Sequence, residues 1–134
     1  MSMFFYRPIN YMKERVHKLK QGEDLVHDRR FHIISCHDIE IVNVMQWLNP
    51  INFEWNGAPF ASNVLFEIYK NDECLKNLKD DETDPYACFT IQSFNDGRPM
   101  QLAVKDRKLS SFFEYLKSIS FQGSMEELED YCEN

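Results

Sequence analysis

Glycine and proline are both scarce, at four and five of 134 residues. Flexible linkers are built largely from such residues, so long unstructured connectors are not expected. No apolar run reaches the length of about 18 residues that a membrane-spanning helix needs. The first residues, MSMFFYRPINY, lack a charged leader, a long apolar stretch and a small-residue cleavage site, which reads as no signal peptide. Positive charge is also short: 15 Lys and Arg stand against 22 Asp and Glu, a formal net charge of −7. Nucleic-acid binding needs a basic footprint, so direct contact with a phosphate backbone is disfavoured. Four scattered glycines cannot form a phosphate-cradling loop.

No Cys-x-x-Cys pair exists. The four cysteines are Cys36, Cys74, Cys88 and Cys132. With no export signal in view, the sequence reads as a cytoplasmic protein whose thiols stay reduced and buried rather than joined in disulfides.

Apolar residues make up 43% of the chain and aromatics 14%, enough for a real core and against disorder. The length suits one domain over residues 1–134. The clearest local signal is Tyr86 to Lys105. Ala87, Phe89, Ile91 and Ser93 alternate with Cys88, Thr90, Gln92 and Phe94. Met100, Leu102 and Val104 then alternate with Gln101, Ala103 and Lys105. This is a hairpin of two half-buried strands, joined through Asn95-Asp96-Gly97-Arg98-Pro99 by a loop of four or five residues.

Upstream, Pro8 suits the first turn of a helix, and Ile9, Met12, Val16 and Leu19 share a face up to Gly22, giving a helix over 8–21. Phe31 to Ser35 reads as a short buried strand. Residues 39–48 are ambiguous: the β-branched residues favour a strand, whereas Asp38 as a cap and Asn49-Pro50 as a sharp stop tip the reading to a helix. Ile51, Phe53 and Trp55 alternate as a short strand, as do Val64, Phe66 and Ile68. Glu73 to Leu78 suits one helical turn, and Lys79 to Pro85, KDDETDP, is an acidic loop. Asp106 or Ser110 can cap a helix carrying Leu109, Phe112, Phe113, Leu116 and Ile119. Ser124 and Glu127 form a capping box for a last, acidic helix. The sum is an α+β domain: a mostly antiparallel sheet of three to five strands against an N-terminal helix and C-terminal helices.

Chemistry is harder to find. His27, His32, Cys36 and His37 are of zinc-ligand type, but on a strand His32 and Cys36 would stand about 13 Å apart, and no second pair lies at ligand spacing. A cysteine nucleophile needs an electropositive or helix-terminal setting, whereas Cys132 lies in an acidic tail. Asp80, Asp81, Glu82 and Asp84 have no apolar neighbour to raise a carboxyl pKa, and they lack the EF-hand pattern.

Charge gives the better lead. Residues 1–50 carry seven basic and six acidic side chains; residues 51–134 carry eight and sixteen. The expectation is a non-catalytic protein-binding protein without cofactor or metal. It would be a small acidic inhibitor, of the immunity or antitoxin kind, that caps the basic active site of a toxin or nuclease. Immunity proteins and phage-encoded inhibitors share this profile of size and acidity, an analogy of composition alone. The expected partner contacts are Asp80, Asp81, Glu82 and Asp84 on the loop, and Glu126, Glu127, Glu129 and Asp130 near the end. Trp55 and Tyr86 would be aromatic anchors. The alternative is a small enzyme or ligand-binding domain with its site around His32, Cys36 and His37.

Overall fold

A computed structural model of the chain describes residues 3–23, 31–54, 57–78, 84, 86–120 and 123, the side chains of residues 3 and 4 excepted. Its elements are α1 (Met3–Lys20), α2 (Asp38–Leu48), β1 (Val64–Lys70), α3 (Asp72–Lys76), β2 (Phe89–Asn95), β3 (Arg98–Pro99) and α4 (Leu109–Ser118). Among the described residues, four helices and a three-stranded antiparallel sheet, in the order β1-β2-β3, make the α+β architecture expected. Among the described residues, no helix is long and apolar enough to cross a membrane.

The sheet's inner face carries the alternating side chains of β2. Phe89, Ile91, Ser93 and Asn95 are buried there, while Thr90, Gln92 and Phe94 face outward, as a period of two requires. Helix α4 lays Leu109, Phe112 and Leu116 onto that face, and α2 adds Val44, Met45 and Leu48. Helix α1 closes the core with Phe5, Ile9 and Val16; Phe5 meets Trp47 at 4.9 Å and Phe66 at 5.9 Å between ring centres.

The C-terminal ends of α2 and α4 are tied to each other. The Trp47 Nε1–H donates to the Ile119 carbonyl at 3.1 Å, and the Tyr115 hydroxyl donates to the Leu48 carbonyl at 2.7 Å. Each helix thus supplies a donor for a carbonyl at the other's end, where no intrahelical partner exists. Asn49, in the left-handed region at φ 39°, closes α2, and Pro50 prevents its continuation.

Several expectations need correcting. Helix α1 begins at Met3, so Pro8 lies inside it; burying Phe5 against Trp47 and Phe66 draws the start forward. Residues 31–35 form no strand and are exposed: Phe31 is 73% accessible and Ile33 81%. Residues 51–54 are turn and coil rather than strand. The Ile51 N–H donates to the Gln101 carbonyl, and the Asn52 side chain bonds both the Pro99 carbonyl and the Gln101 N–H. Those contacts also occupy the second arm of the hairpin, so β3 ends at Pro99, which itself has no N–H for a ladder. Met100 and Leu102 are buried without being strand.

The hairpin turn is tighter than expected. Asn95 pairs with Arg98, leaving the two-residue loop Asp96-Gly97 with φ of 49° and 74°. Positive φ at both positions is the type I′ turn, whose twist matches the strands. Asp38 does not occupy the capping position of α2; His37 does, and the Asp38 carboxylate accepts from the Ile39 N–H. Lys108, not Asp106 or Ser110, precedes α4. The expected capping box at Ser124 and Glu127, and the helix after it, lie outside the described residues.

The cysteines give the largest correction. Cys74 and Cys88 form a disulfide, with Cα atoms 5.5 Å apart. Two contacts bring them together. The Asn71 N–H donates to the Cys88 carbonyl at 2.9 Å, and the Asn71 side chain caps α3 by accepting from the Cys74 N–H. Cys36 is a free, exposed thiol.

β1 is an edge strand. Asp96 N–H to Asn63 O and Asn71 N–H to Cys88 O, read with the register Val64↔Asn95, fix which groups bond inward. Leu65, Glu67 and Tyr69 exchange bonds with β2. Val64, Phe66, Ile68 and Lys70 therefore turn their N–H and C=O groups away from the sheet. Among the described residues, no backbone group meets them.

Candidate functional site: a sealed acidic loop

The disulfide gives the acidic run a defined base. Residues 75–87 lie within the ring closed by Cys74 and Cys88, and Asp80, Asp81 and Glu82 fall near its middle. The ring is fastened a second time at Asp84. One carboxylate oxygen accepts from the Tyr86 N–H at 2.8 Å, an Asx-type turn, and the other from the Ser110 hydroxyl at 2.9 Å. Ser110 lies in the first turn of α4, so Asp84 sits beside the start of that helix.

Tyr86 is half-buried, its ring 4.9 Å from that of Phe113. Burial, with the Asp84 charge as a smaller cause, raises its hydroxyl above the ordinary tyrosine value. Lys13 of α1 lies 5.2 Å over the Phe113 ring, so α1, α4 and the loop base share one aromatic contact.

Of the expected contact residues, the structure describes Asp84 and Tyr86, and it brings them together. Both serve the loop base: Asp84 has both oxygens engaged, and Tyr86 packs on Phe113. Trp55, Asp80, Asp81, Glu82, Glu126, Glu127, Glu129 and Asp130 lie outside the described residues. The sequence reading missed the roles of Cys74, Cys88 and Ser110. A signal was present in the two cysteines flanking KDDETDP at a separation of 14.

Charge is unevenly divided between the described residues and the rest. Ten acidic residues lie outside the described residues, in 24–30, 79–83 and 124–133, with only Arg29, Arg30 and Lys79 to offset them. The twelve remaining acids face twelve bases, so the whole excess of −7 belongs to those segments.

The histidine and cysteine cluster gathers little. His32, Cys36 and His37 are exposed on irregular chain, His32 edge-on to Tyr11 at 6.0 Å; His27 lies outside the described residues. Slight desolvation and the nearby Glu40 charge push the Cys36 thiol up, opposite to the shift that activates a nucleophile. Among the described residues, no group of three His, Cys, Asp or Glu side chains is placed to hold a metal ion.

The chain matches no known protein family, and no curated protein or solved structure shows detectable similarity to it.

Proposed function

We propose that this chain is a non-catalytic protein-binding protein: a small acidic inhibitor, of the immunity or antitoxin kind, that caps the basic active site of a toxin or nuclease. The observation that carries it is the covalent ring around Asp80, Asp81 and Glu82. An acidic segment closed by a disulfide and pinned at Asp84 gives up less freedom on binding than an open one, so more of its electrostatic attraction becomes affinity. The second acidic segment, with Glu126, Glu127, Glu129 and Asp130, follows α4, while the loop base touches that helix's first turn. A ten-residue helix spans about 15 Å, so Asp84 at the base of the first segment and the C-terminal end of α4, after which the second follows in sequence, lie within the footprint of one ordinary protein interface.

The test is a pull-down from the native host at low and then high salt, followed by association kinetics with the captured protein. Release by salt, and an association rate slowed about tenfold or more by Asp80→Lys, Asp81→Lys and Glu82→Lys together, supports the cap. A partner indifferent to both salt and charge reversal overturns it.

Cytoplasmic residence is proposed on separate grounds, and a reducing cytosol opposes the Cys74–Cys88 bond that preorganises the acidic run. Finding that bond intact in protein alkylated before lysis keeps the preorganised ring and assigns the chain to an oxidising compartment; finding it reduced keeps cytoplasmic residence and leaves the acidic run to bind without the ring.

A further inference from the structure

Two features outside the acidic loop are complementary. One is the open edge of β1, with the outward N–H and C=O groups of Val64, Phe66, Ile68 and Lys70. The edge is seven residues long and has no proline or bulge, and Lys70 is its only base, so it lacks most of the devices that protect edges from pairing. The other is residues 31–36, FHIISC. This segment carries no charge and exposes Phe31, Ile33 and Ile34, and its backbone makes no hydrogen bond among the described residues. Its composition is that of a strand without a sheet.

We propose that the chain forms a twofold dimer in which residues 31–36 of each copy pair with β1 of the other. The exchange is reciprocal, so it closes on two copies and leaves no growing end. Donor and acceptor both border α1 within one copy, through Tyr11 on His32 and Phe5 on Phe66, so a single axis can serve both pairings. Val64, Phe66 and Ile68 are only half-buried at the sheet's inner face. Phe31 and Ile33, on alternate positions of the donor, would extend that row, and Ile34 would lie on the outer face beside Leu65 and Tyr69. Charge does not oppose the pairing: the donor is neutral, β1 has one Glu and one Lys, and the −7 excess lies in other segments. A β1-to-β1 dimer has no use for the exposed apolar segment. A dimer with so few residues from each copy is small by interface standards, so it depends on concentration.

The proposal is independent of the acidic-loop reading and is tested on the intact chain by sedimentation over a dilution series. Wild type should pass from monomer to twice the mass. Ile33→Asp removes an exposed donor side chain, and Lys70→Pro removes an outward N–H from the acceptor while sparing the ladder to β2. Each should be monomeric with unchanged circular dichroism. An equimolar mixture of the two should recover association, because the intact donor of one fits the intact edge of the other. In the wild-type dimer the amide hydrogens of Phe66, Ile68 and Lys70 should exchange at least about tenfold more slowly than in Ile33→Asp. Three results each overturn the proposal: wild type monomeric throughout; Ile33→Asp dimerising as wild type does, as a β1-to-β1 pair would; or these amides equally slow in monomer and dimer.

Discussion

Tyr115 and Trp47 show how much a single polar atom on an aromatic ring can organise. The Tyr115 hydroxyl is the donor that meets the last carbonyl of α2, so Tyr115→Phe leaves that oxygen without its protein partner. The expected cost is about 1–3 kcal/mol, read as a lower urea midpoint with an unchanged slope. Burial raises the hydroxyls of Tyr86 and Tyr115 above the ordinary tyrosine value. A group whose folded pKa is raised favours folding while protonated. That contribution is complete below the unfolded value of about 10 and is lost as pH rises through the higher folded value. Ultraviolet titration of native protein should show a late-ionising fraction, reduced in Tyr86→Phe and in Tyr115→Phe. In the core proper, Leu116→Ala removes a fully buried side chain and should destabilise by about 2–5 kcal/mol.

Elements whose own side chains decide their fate were legible in the sequence. The stripe Leu109, Phe112 and Leu116 specifies α4, and alternation specifies β2, because in each the period of burial equals the period of the structure. Elements decided by distant partners were not. Phe31 to Ser35 has strand composition but no neighbour in the sheet, and Met100 to Val104 alternates yet gives up its bonds to Ile51 and Asn52. The Cys74–Cys88 bond rests on one long-range contact, Asn71 N–H to the Cys88 carbonyl, and on the local Asn71 cap of α3, a pairing that the cysteine spacing hints at without specifying. Two predictions belong here. Gly97→Ala must hold a Cβ at φ 74° and should cost about 1–2 kcal/mol in thermal or urea unfolding. Reducing Cys74–Cys88, which closes a loop of separation 14, should cost about 3 kcal/mol by the chain-entropy argument, measured as the urea midpoint with and without reductant.

At the scale of the whole molecule, charge and stability are carried by different residues. Among the described residues the core is built by α1, α2, α4 and β2, while the net −7 is carried by segments outside them. Reversing Asp80, Asp81 and Glu82 to Lys should therefore shift stability by no more than about 0.5 kcal/mol, as surface changes commonly do. Loss of a partner in that variant would then report on recognition, and unchanged thermal unfolding would show it.

The ring around the acidic run also governs how the chain responds to proteolysis. A protease that cuts once between residues 75 and 87 breaks the backbone but separates nothing, because Cys74–Cys88 still joins the two fragments. Such a nicked protein would migrate as one species on a denaturing gel until reductant is added, and as two afterwards. The acidic run Asp80-Asp81-Glu82 could thus be severed while its two flanking fragments stay covalently tethered.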